Sequence, residues 1–143
     1  MPKTLWTYES ILEALPPILS ECLGVDTEDV KPESHFYDDL GGESIDEIDL
    51  SFRCERAFQV RSPFAALLNL SQFPVDENGM LYGDSWEQFL REHPHFHLKL
   101  QAAGKDQLTP LELRDYFTVS MIARFIETAA QRQADQNSTQ ISA

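Results

Sequence analysis

The sequence predicts an all-α fold, a four-helix bundle with one long inserted segment. Apolar residues recur at helical spacing in several separate stretches, and a long loop follows the first of them. With 143 residues, of which 42% are hydrophobic, the chain can bury a real core as a single domain. We expect that domain to span residues 1–130, with the insertion at about 61–108 and a flexible polar tail at 131–143. The insertion could add a short hairpin and an extra helix.

The first helix is predicted within residues 11–23, where apolar side chains share one face. Pro16 and Pro17 fall inside this stretch. Because proline removes an amide donor and crowds the preceding turn, we expect a kink or a break there. Gly24 provides a C-terminal cap. An acidic loop over residues 25–43 follows the helix.

The second helix is expected to begin at Ser44 and to run to about Gln59. Serine is a preferred N-cap, and Glu47 three residues later completes a capping box. Two apolar stripes lie on roughly opposite faces of this helix. The first stripe is Leu50, Cys54, Ala57 and Phe58, and the second is Ile45, Ile48 and Phe52. One stripe should face the core, and the other is either exposed to a partner or covered by the insertion.

The inserted segment is predicted to form two short extended pieces around a turn at residues 76–79, and then a helix. Ser85 and Gln88 provide a capping box for that helix, which Pro94 is expected to end near Glu92. Two apolar groups in the segment should be buried, packing on each other and on the edge of the bundle. These groups are Phe64, Leu67, Leu68 and Leu70, and Trp86, Phe89 and Leu90.

Two helical pieces are predicted after the insertion. Pro110, at the favoured first position of a helix, predicts one or two turns over residues 110–116. The last helix is expected from Val119 to about Ala130. Its inward-facing residues are Val119, Ile122, Ala123, Phe125 and Ile126.

The chain is strongly acidic, with a formal net charge of −13. Residues 26–50 hold ten acidic side chains and one lysine, so most of the negative charge surrounds Ser44. This charge argues against nucleic acid and anionic membrane surfaces as partners, because both attract Lys and Arg. It favours protein partners with basic patches. No apolar stretch is long enough to span a bilayer and no signal-peptide pattern is present, so a cytoplasmic protein is expected.

Neither a metal site nor a catalytic site is predicted. Cys22 and Cys54 lack CxxC spacing and are expected to be small buried hydrophobic residues. Three alternating histidines would share one face of an extended strand, but no cysteine or carboxylate lies nearby at ligand spacing. They are His93, His95 and His97. Ser44 has no sequence signature of a nucleophile paired with a base, although His35 could approach it in space, so an enzyme is not expected.

The stretch HFYDDLGGESIDEIDLSFRCERAF resembles the phosphopantetheine attachment region of the acyl carrier protein family. The matching positions are Phe36, Asp38, Asp39, Leu40, Gly41, Glu43, Ser44, Ile45, Asp46, Asp49, Leu50, Glu55 and Phe58. Upstream, ILSECLGVDTEDVKPES resembles the first helix and loop of the family. Downstream, Thr118 and Val119 resemble the start of its last helix. The resemblance covers about residues 9–60 and 117–127.

The resemblance implies an acyl-carrier-like four-helix bundle with no catalytic activity of its own. A phosphopantetheinyl transferase would use coenzyme A and Mg²⁺ to attach a phosphopantetheine arm to the hydroxyl of Ser44. The thiol of that arm would hold an acyl group as a thioester. Acyl-loading, acyl-transfer or condensing enzymes with basic patches would dock on and beside the second helix. The implied docking residues are Asp38, Asp39, Ile45, Asp46, Ile48, Asp49 and Phe52.

This sequence departs from the family pattern in three places. Glu43 replaces the usual aspartate before the serine, and the insertion replaces a short loop. Arg53 and Arg56 add positive charge to a helix that is usually acidic. The pathway stays open among fatty acid, specialised lipid, polyketide and aminoacyl roles. The alternative is a carrier-like module that is never modified and only binds proteins through the same helix.

Overall fold

The structure is a computed structural model that describes residues 6–68 and 72–142, with side chains as far as residue 136. It is all-α, as predicted. The helices are α1 (Tyr8–Leu23), α2 (Ser44–Phe58), α3 (Ala65–Leu68), α4 (Asp84–Glu92), α5 (Pro94–Ala102), α6 (Pro110–Leu113) and α7 (Val119–Ser142). Short 3₁₀ turns lie at Thr27–Asp29 and Arg114–Tyr116. Within these ranges, no helix combines the length and the hydropathy needed to cross a membrane.

Helix α1 forms as the sequence predicts, except at its prolines. Thr7 and Ser10 make a capping box at its start, and Gly24 ends it in the left-handed conformation. The helix continues through Pro16 and Pro17 without the predicted break. Its fully buried residues are Ile11, Leu15 and Leu19. Because both prolines lie off this buried face, water can bind the carbonyl groups that they leave without an amide partner.

Helices α1, α2 and α7 enclose the main core, with α1 packed against both of the others. Helix α2 turns Leu50, Cys54 and Phe58 inward, as predicted. Ala57 was predicted on the same face, but it is exposed. Consecutive helical residues point about 100° apart, so Ala57 and Phe58 cannot both face the core directly. Trp6 packs edge-on against Phe58, 4.8 Å between ring centroids, and closes this end of the bundle.

Helix α7 is longer than predicted. Its predicted inward-facing residues, from Val119 to Ile126, are all buried. The helix then continues to Ser142, so the predicted end near Ala130 was wrong. Residues 131–136 are Gln, Arg, Gln, Ala, Asp and Gln, and all of these except the aspartate favour a helix even without an apolar face. The flexibility of residues 131–143 stays a prediction.

The insertion begins with α3 and a short hairpin. Val75 and Leu81 form an isolated antiparallel bridge. The carboxylate of Asp76 accepts two backbone N–H bonds across the turn, each 2.9 Å long. Gly79 has a φ of 81°, a conformation that suits glycine in a tight turn. The two predicted extended pieces are therefore present, each reduced to a single bridged residue.

Two helices follow the hairpin where one was predicted. Helix α4 begins at Asp84 with Gly83 as its N-cap, so the predicted capping box of Ser85 and Gln88 does not form. Pro94 ends α4, but it also stands at the first position of α5. Proline suits that position because an amide in the first helical turn has no partner within the helix. Residues 93–97, which contain the three alternating histidines, are therefore largely helical.

An aromatic cluster joins the insertion to the bundle. It consists of Phe73, Trp86, Phe89 and Phe96, with neighbouring ring centroids 5.4 to 6.2 Å apart. Phe89 also contacts Phe125 of α7 at 6.1 Å. Phe64, from the first apolar group, meets the same Phe125 ring at 6.4 Å. The two predicted apolar groups therefore meet on α7.

Burial of the apolar residues predicted in the insertion is confirmed in part. The buried ones are Phe64, Trp86 and Phe89, and the half-buried ones are Leu67 and Leu90. Leu68 is 38% exposed, so that prediction was wrong. It ends the short helix α3, where the chain borders an open cavity described below. Leu70 lies outside the described residues.

Among the residues that the structure describes, no cluster of thiols, imidazoles and carboxylates could hold a metal ion. Cys54 is buried and Cys22 is half-buried. Burial, together with the neighbouring Asp49, raises the pKa of the Cys22 thiol to about 12. The three histidines do not share a strand, because His93 turns inward at the end of α4 and His95 is exposed on α5.

His93 is expected to make the stability depend on pH. Its ring lies 4.5 Å from Phe89 and 4.7 Å from Phe125, and this burial, reinforced by the charge of Arg132, lowers its pKa to about 4. The unfolded chain binds a proton near pH 6.5, whereas the native state binds it only near pH 4. The free energy of unfolding should therefore fall by roughly 2 kcal/mol as the pH drops through that window.

Urea unfolding near neutral pH and near pH 4.5 measures this loss. In the His93→Gln variant, the part of this decrease that comes from the imidazole should be absent. The part that comes from carboxylates should remain, because both proteins have the same carboxylates. An equal loss in the two proteins would show that His93 does not cause it.

Candidate functional site

The loop before α2 places Ser44 at the surface. Gly41 has a φ of 73°, which residues other than glycine rarely adopt. Gly42 donates its amide to the carbonyl of Phe36 at 2.9 Å, and a Cβ on Gly42 would lie only 2.3 Å from the Phe36 ring. Because Phe36 is fully buried, the loop is anchored to the core, and Ser44 stands exposed just beyond it.

Ser44 is the first residue of α2 and not its N-cap, contrary to the prediction. Glu43 occupies the cap position, and its amide donates to the carboxylate of Asp46 at 2.8 Å. Glu47 does not close a box with Ser44, because its side chain is buried. The Ser44 hydroxyl is therefore not used in capping. It stands at a helix N-terminus, where a negatively charged group is favourable.

Arg114 contacts this hydroxyl, a contact that no sequence pattern indicated. Its Nη2 donates to Ser44 Oγ at 2.7 Å, and its guanidinium lies over the Tyr37 ring, 5.1 Å from the centroid. Arg114 stands on the 3₁₀ turn after α6, 70 positions along the chain from Ser44. No local pattern connects positions so far apart.

Glu47 lies buried beside this pair. Burial raises the pKa of its carboxyl, and the positive charge of Arg114 partly opposes that shift. An ionised carboxylate in such a place needs a nearby cation to offset the loss of hydration. The charge of Arg114 therefore acts on the buried Glu47 carboxyl, while its guanidinium donates to the exposed Ser44 hydroxyl.

A cavity of about 260 Å³ opens beside Ser44. Its apolar wall comes from three different parts of the chain. The lining residues are Ser44, Glu47, Ile48, Leu67, Leu68, Leu113, Arg114 and Phe117. Leu67 and Leu68 belong to α3, so the insertion forms part of the wall next to the serine. This position also accounts for the exposure of Leu68.

The second apolar stripe of α2 is open to solvent. Ile45, Ile48 and Phe52 are 70%, 49% and 60% exposed. The described residues of the insertion, 61–68 and 72–108, do not cover this stripe, which favours the exposed arrangement of the two left open by the sequence. Large apolar side chains exposed side by side on a helix are typical of a surface that binds another protein.

The four aspartates around this stripe differ in the hydrogen bonds and ion pairs that they make. Asp38 is 80% exposed, whereas Asp39 accepts a backbone amide at 2.7 Å. Asp46 holds the amide of the α2 cap, as described above. Asp49 pairs with Arg53 at 3.0 Å, and this hydrogen bond lowers the pKa of Asp49. Substitution of Asp38 thus tests surface charge with little disturbance to α2.

His35, which the sequence allowed as a neighbour of Ser44, is bonded elsewhere. Its Nε2 donates to the carbonyl of Asp115 at 2.9 Å. Its Nδ1 accepts from the amides of Tyr37 and Asp38, each at 3.3 Å. The ring therefore ties the loop before α2 to the turn before α7. It forms no nucleophile and base pair with Ser44.

Comparison with protein families identifies the segment that contains this serine. A family model described as the phosphopantetheine attachment site matches residues 13–73, from within α1 to the approach of the hairpin. Such domains are the sites of covalent phosphopantetheine attachment and act as carriers. The match ends inside the insertion, and α4 to α7 lie beyond it. No solved structure matches the chain.

Proposed function

We propose that Ser44 bears a phosphopantetheine arm and that the arm holds an acyl group as a thioester. Residues 13–73, which include this serine, match the family model of the phosphopantetheine attachment site. The state of the Ser44 hydroxyl carries the proposal: it lies in the matched segment, on the surface, and outside the capping bonds of α2. The chain itself would perform no chemistry on the acyl group.

The surroundings of Ser44 fit a phosphodiester. The Arg114 guanidinium already touches the hydroxyl oxygen, and the first amides of α2 point toward the same end of the helix. In the attachment step, the Ser44 oxygen attacks a phosphorus of coenzyme A, forms a phosphodiester and releases 3′,5′-ADP. The proton of the hydroxyl passes to a base of the transferase, because His35 is engaged elsewhere. Once attached, the arm supplies the thiol for the thioester.

The cavity beside Ser44 favours an apolar acyl group over a highly polar one. One aliphatic side chain from α2, two from α3 and one from α6 line it, and Phe117 adds an aromatic surface, whereas Glu47 and Arg114 contribute charge near Ser44. Removing an acyl chain from water against such a wall stabilises it by about 25 cal/mol per Å². The insertion extends this wall through Leu67 and Leu68.

The partners in this proposal are a phosphopantetheinyl transferase and enzymes that load, transfer or condense acyl groups in the cytoplasm. The exposed stripe of Ile45, Ile48 and Phe52 supplies the apolar contact. The acidic surface around it favours partners that present Lys or Arg. The alternative function, an unmodified interaction module, would bind its partners through the same stripe. The exposure of the stripe therefore does not distinguish a modified carrier from an unmodified module.

Intact-protein mass separates them. The purified chain is incubated with coenzyme A, Mg²⁺ and each of several broad-specificity transferases, and its mass is measured. We expect a gain equal to one phosphopantetheine, on a peptide that contains Ser44. A chain that stays unmodified with every transferase would favour the unmodified module. Subsequent transfer of acyl groups of different length to the new thiol would show which cargo it accepts.

Phe52→Ala is expected to weaken binding to the transferase about tenfold, because a large exposed aromatic side chain at a docking surface contributes more than its neighbours. The effect should fall on KM and leave kcat almost unchanged. Leu98→Ala is the matched control, since Leu98 is 61% exposed on α5, close to the 60% of Phe52. Equal effects of the two substitutions would argue against docking on α2.

The charge component of the same surface is tested by Asp38→Lys. Exposed charges steer encounter over about a Debye length, so the association rate should fall at low salt and recover at high salt. Reversal of Asp46 or Asp49 should act in the same direction, but it also removes a bond within α2. An association rate that does not depend on ionic strength would exclude this acidic surface.

A further inference from the structure

The guanidinium of Arg114 places a permanent positive charge next to the Ser44 hydroxyl, which is proposed to carry the arm. The Nη2 to Oγ distance of 2.7 Å lies at the short end of the range for an N–H···O hydrogen bond. A phosphodiester on the same oxygen would gain more from the guanidinium than the neutral hydroxyl does, because both partners would then be charged. A guanidinium also presents several donors in one plane, which suits the oxygens of a phosphate.

Acidic side chains lie next to Ser44, so a cation is needed there to offset the charge of a phosphodiester. Glu43, Asp46 and Glu47 all lie within three positions of the serine. A phosphodiester would add another negative charge to this group, and like charges at short range repel. Arg114 is the cation that contacts the Ser44 oxygen in the structure, and it already offsets the charge of Glu47.

The guanidinium is held in place before any arm is attached. It lies on the Tyr37 ring, and that ring packs edge-on against Phe36, 5.0 Å between centroids. The bond from His35 to the carbonyl of Asp115 fixes the turn on which Arg114 stands. Little side-chain freedom is therefore lost when the guanidinium binds an anion.

We propose that Arg114 is a phosphate clamp: it holds the phosphodiester of the arm on Ser44 and directs the arm along the cavity wall between α3 and α6. This inference rests on the proposed function. Arg114 is a positioning residue, because it touches the phosphate and not the thioester. The arm therefore leaves Ser44 in a fixed direction, toward the cavity wall that Leu67 and Leu68 of the insertion help to form.

The test is a thermodynamic cycle on the full chain, with and without the arm. Attachment is first verified by mass for the wild type and for Arg114→Gln, Arg114→Lys and Arg124→Gln. Urea unfolding then gives the effect of the arm on the unfolding equilibrium constant of each protein. Arg124 is the matched control, since it also stacks on a tyrosine, at 3.6 Å, and pairs with Glu127 away from Ser44.

We expect the arm to stabilise the wild type relative to Arg114→Gln by about fivefold in that constant, as for a good exposed ion pair. Arg114→Lys should retain part of this difference, Arg124→Gln should retain all of it, and high salt should reduce it. The ³¹P resonance of the phosphodiester should move with salt in the wild type and not in Arg114→Gln. An equal effect of the arm in both proteins would overturn the clamp. Failure of attachment in the wild type, seen by mass beforehand, would instead remove the proposed function.

Discussion

Ser44→Ala is expected to abolish phosphopantetheine attachment completely, while the free energy of unfolding changes by less than about 0.5 kcal/mol. The hydroxyl is the proposed nucleophile, and removing its oxygen leaves the transferase nothing to modify at this position. The stability should hardly change because Glu43 and Asp46, and not Ser44, cap the helix. A true N-cap serine would cost about 1 kcal/mol when replaced by alanine.

Intact mass after incubation with coenzyme A measures the first effect, and urea unfolding measures the second. Ser85→Ala is the control, since Ser85 is an exposed serine in the first turn of α4. It should be modified as fully as the wild type. If the Ser44→Ala protein still gained the mass of the arm, another residue would be the attachment site.

Phe89→Ala is expected to lower the free energy of unfolding of the whole chain by about 3 kcal/mol or more. Phe89 is only 3% exposed and contacts three aromatic residues of the insertion as well as Phe125 of α7. The cavity left by its ring would open at the junction between the insertion and the bundle. Both parts should therefore lose stability together.

Urea unfolding followed by circular dichroism should show one transition at a lower urea concentration. Amide hydrogen exchange across residues 64–92 should accelerate along with exchange in α1 and α7. Tyr82→Ala serves as control, because Tyr82 is an aromatic residue of the insertion that is 49% exposed. If only the insertion exchanged faster and the bundle kept its stability, the insertion would be a separate folding unit.

The sequence predicted those parts of the site whose signals are local. Ser44 was predicted to be the attachment site because its flanking residue types match the family pattern at fixed spacing within one short stretch, and this role stays a prediction. The exposed stripe of Ile45, Ile48 and Phe52 follows from helical periodicity, because a helix with apolar residues on two faces cannot bury both against one core. What periodicity could not tell was whether the insertion would cover the stripe, since that depends on how two distant segments pack.

Other features depend on tertiary contacts and escaped prediction. Arg114 is joined to Ser44 only by the packing of the turn after α6 against the loop before α2. The break expected at Pro16 and Pro17 does not occur, because burial of the opposite face of α1 outweighs the two lost amide donors. Pro94 was correctly taken to end α4, but a proline can equally begin a helix, and α5 was missed for that reason.

Because Gly42 lies close to Phe36, the loop before α2 should contain two positions that do not tolerate mutation. In a saturation screen, substitutions at Gly42 and at Ser44 should both be depleted, two positions apart, for unrelated reasons. Even an alanine at Gly42 would have to displace a buried ring, since its Cβ would lie 2.3 Å from Phe36, so the loss should register in protein abundance. At Ser44 abundance should be normal and only the modified fraction should vanish. A screen that scored growth alone would merge the two positions into one apparent motif, although the glycine is constrained by packing against Phe36 and the serine by its proposed role as the attachment site.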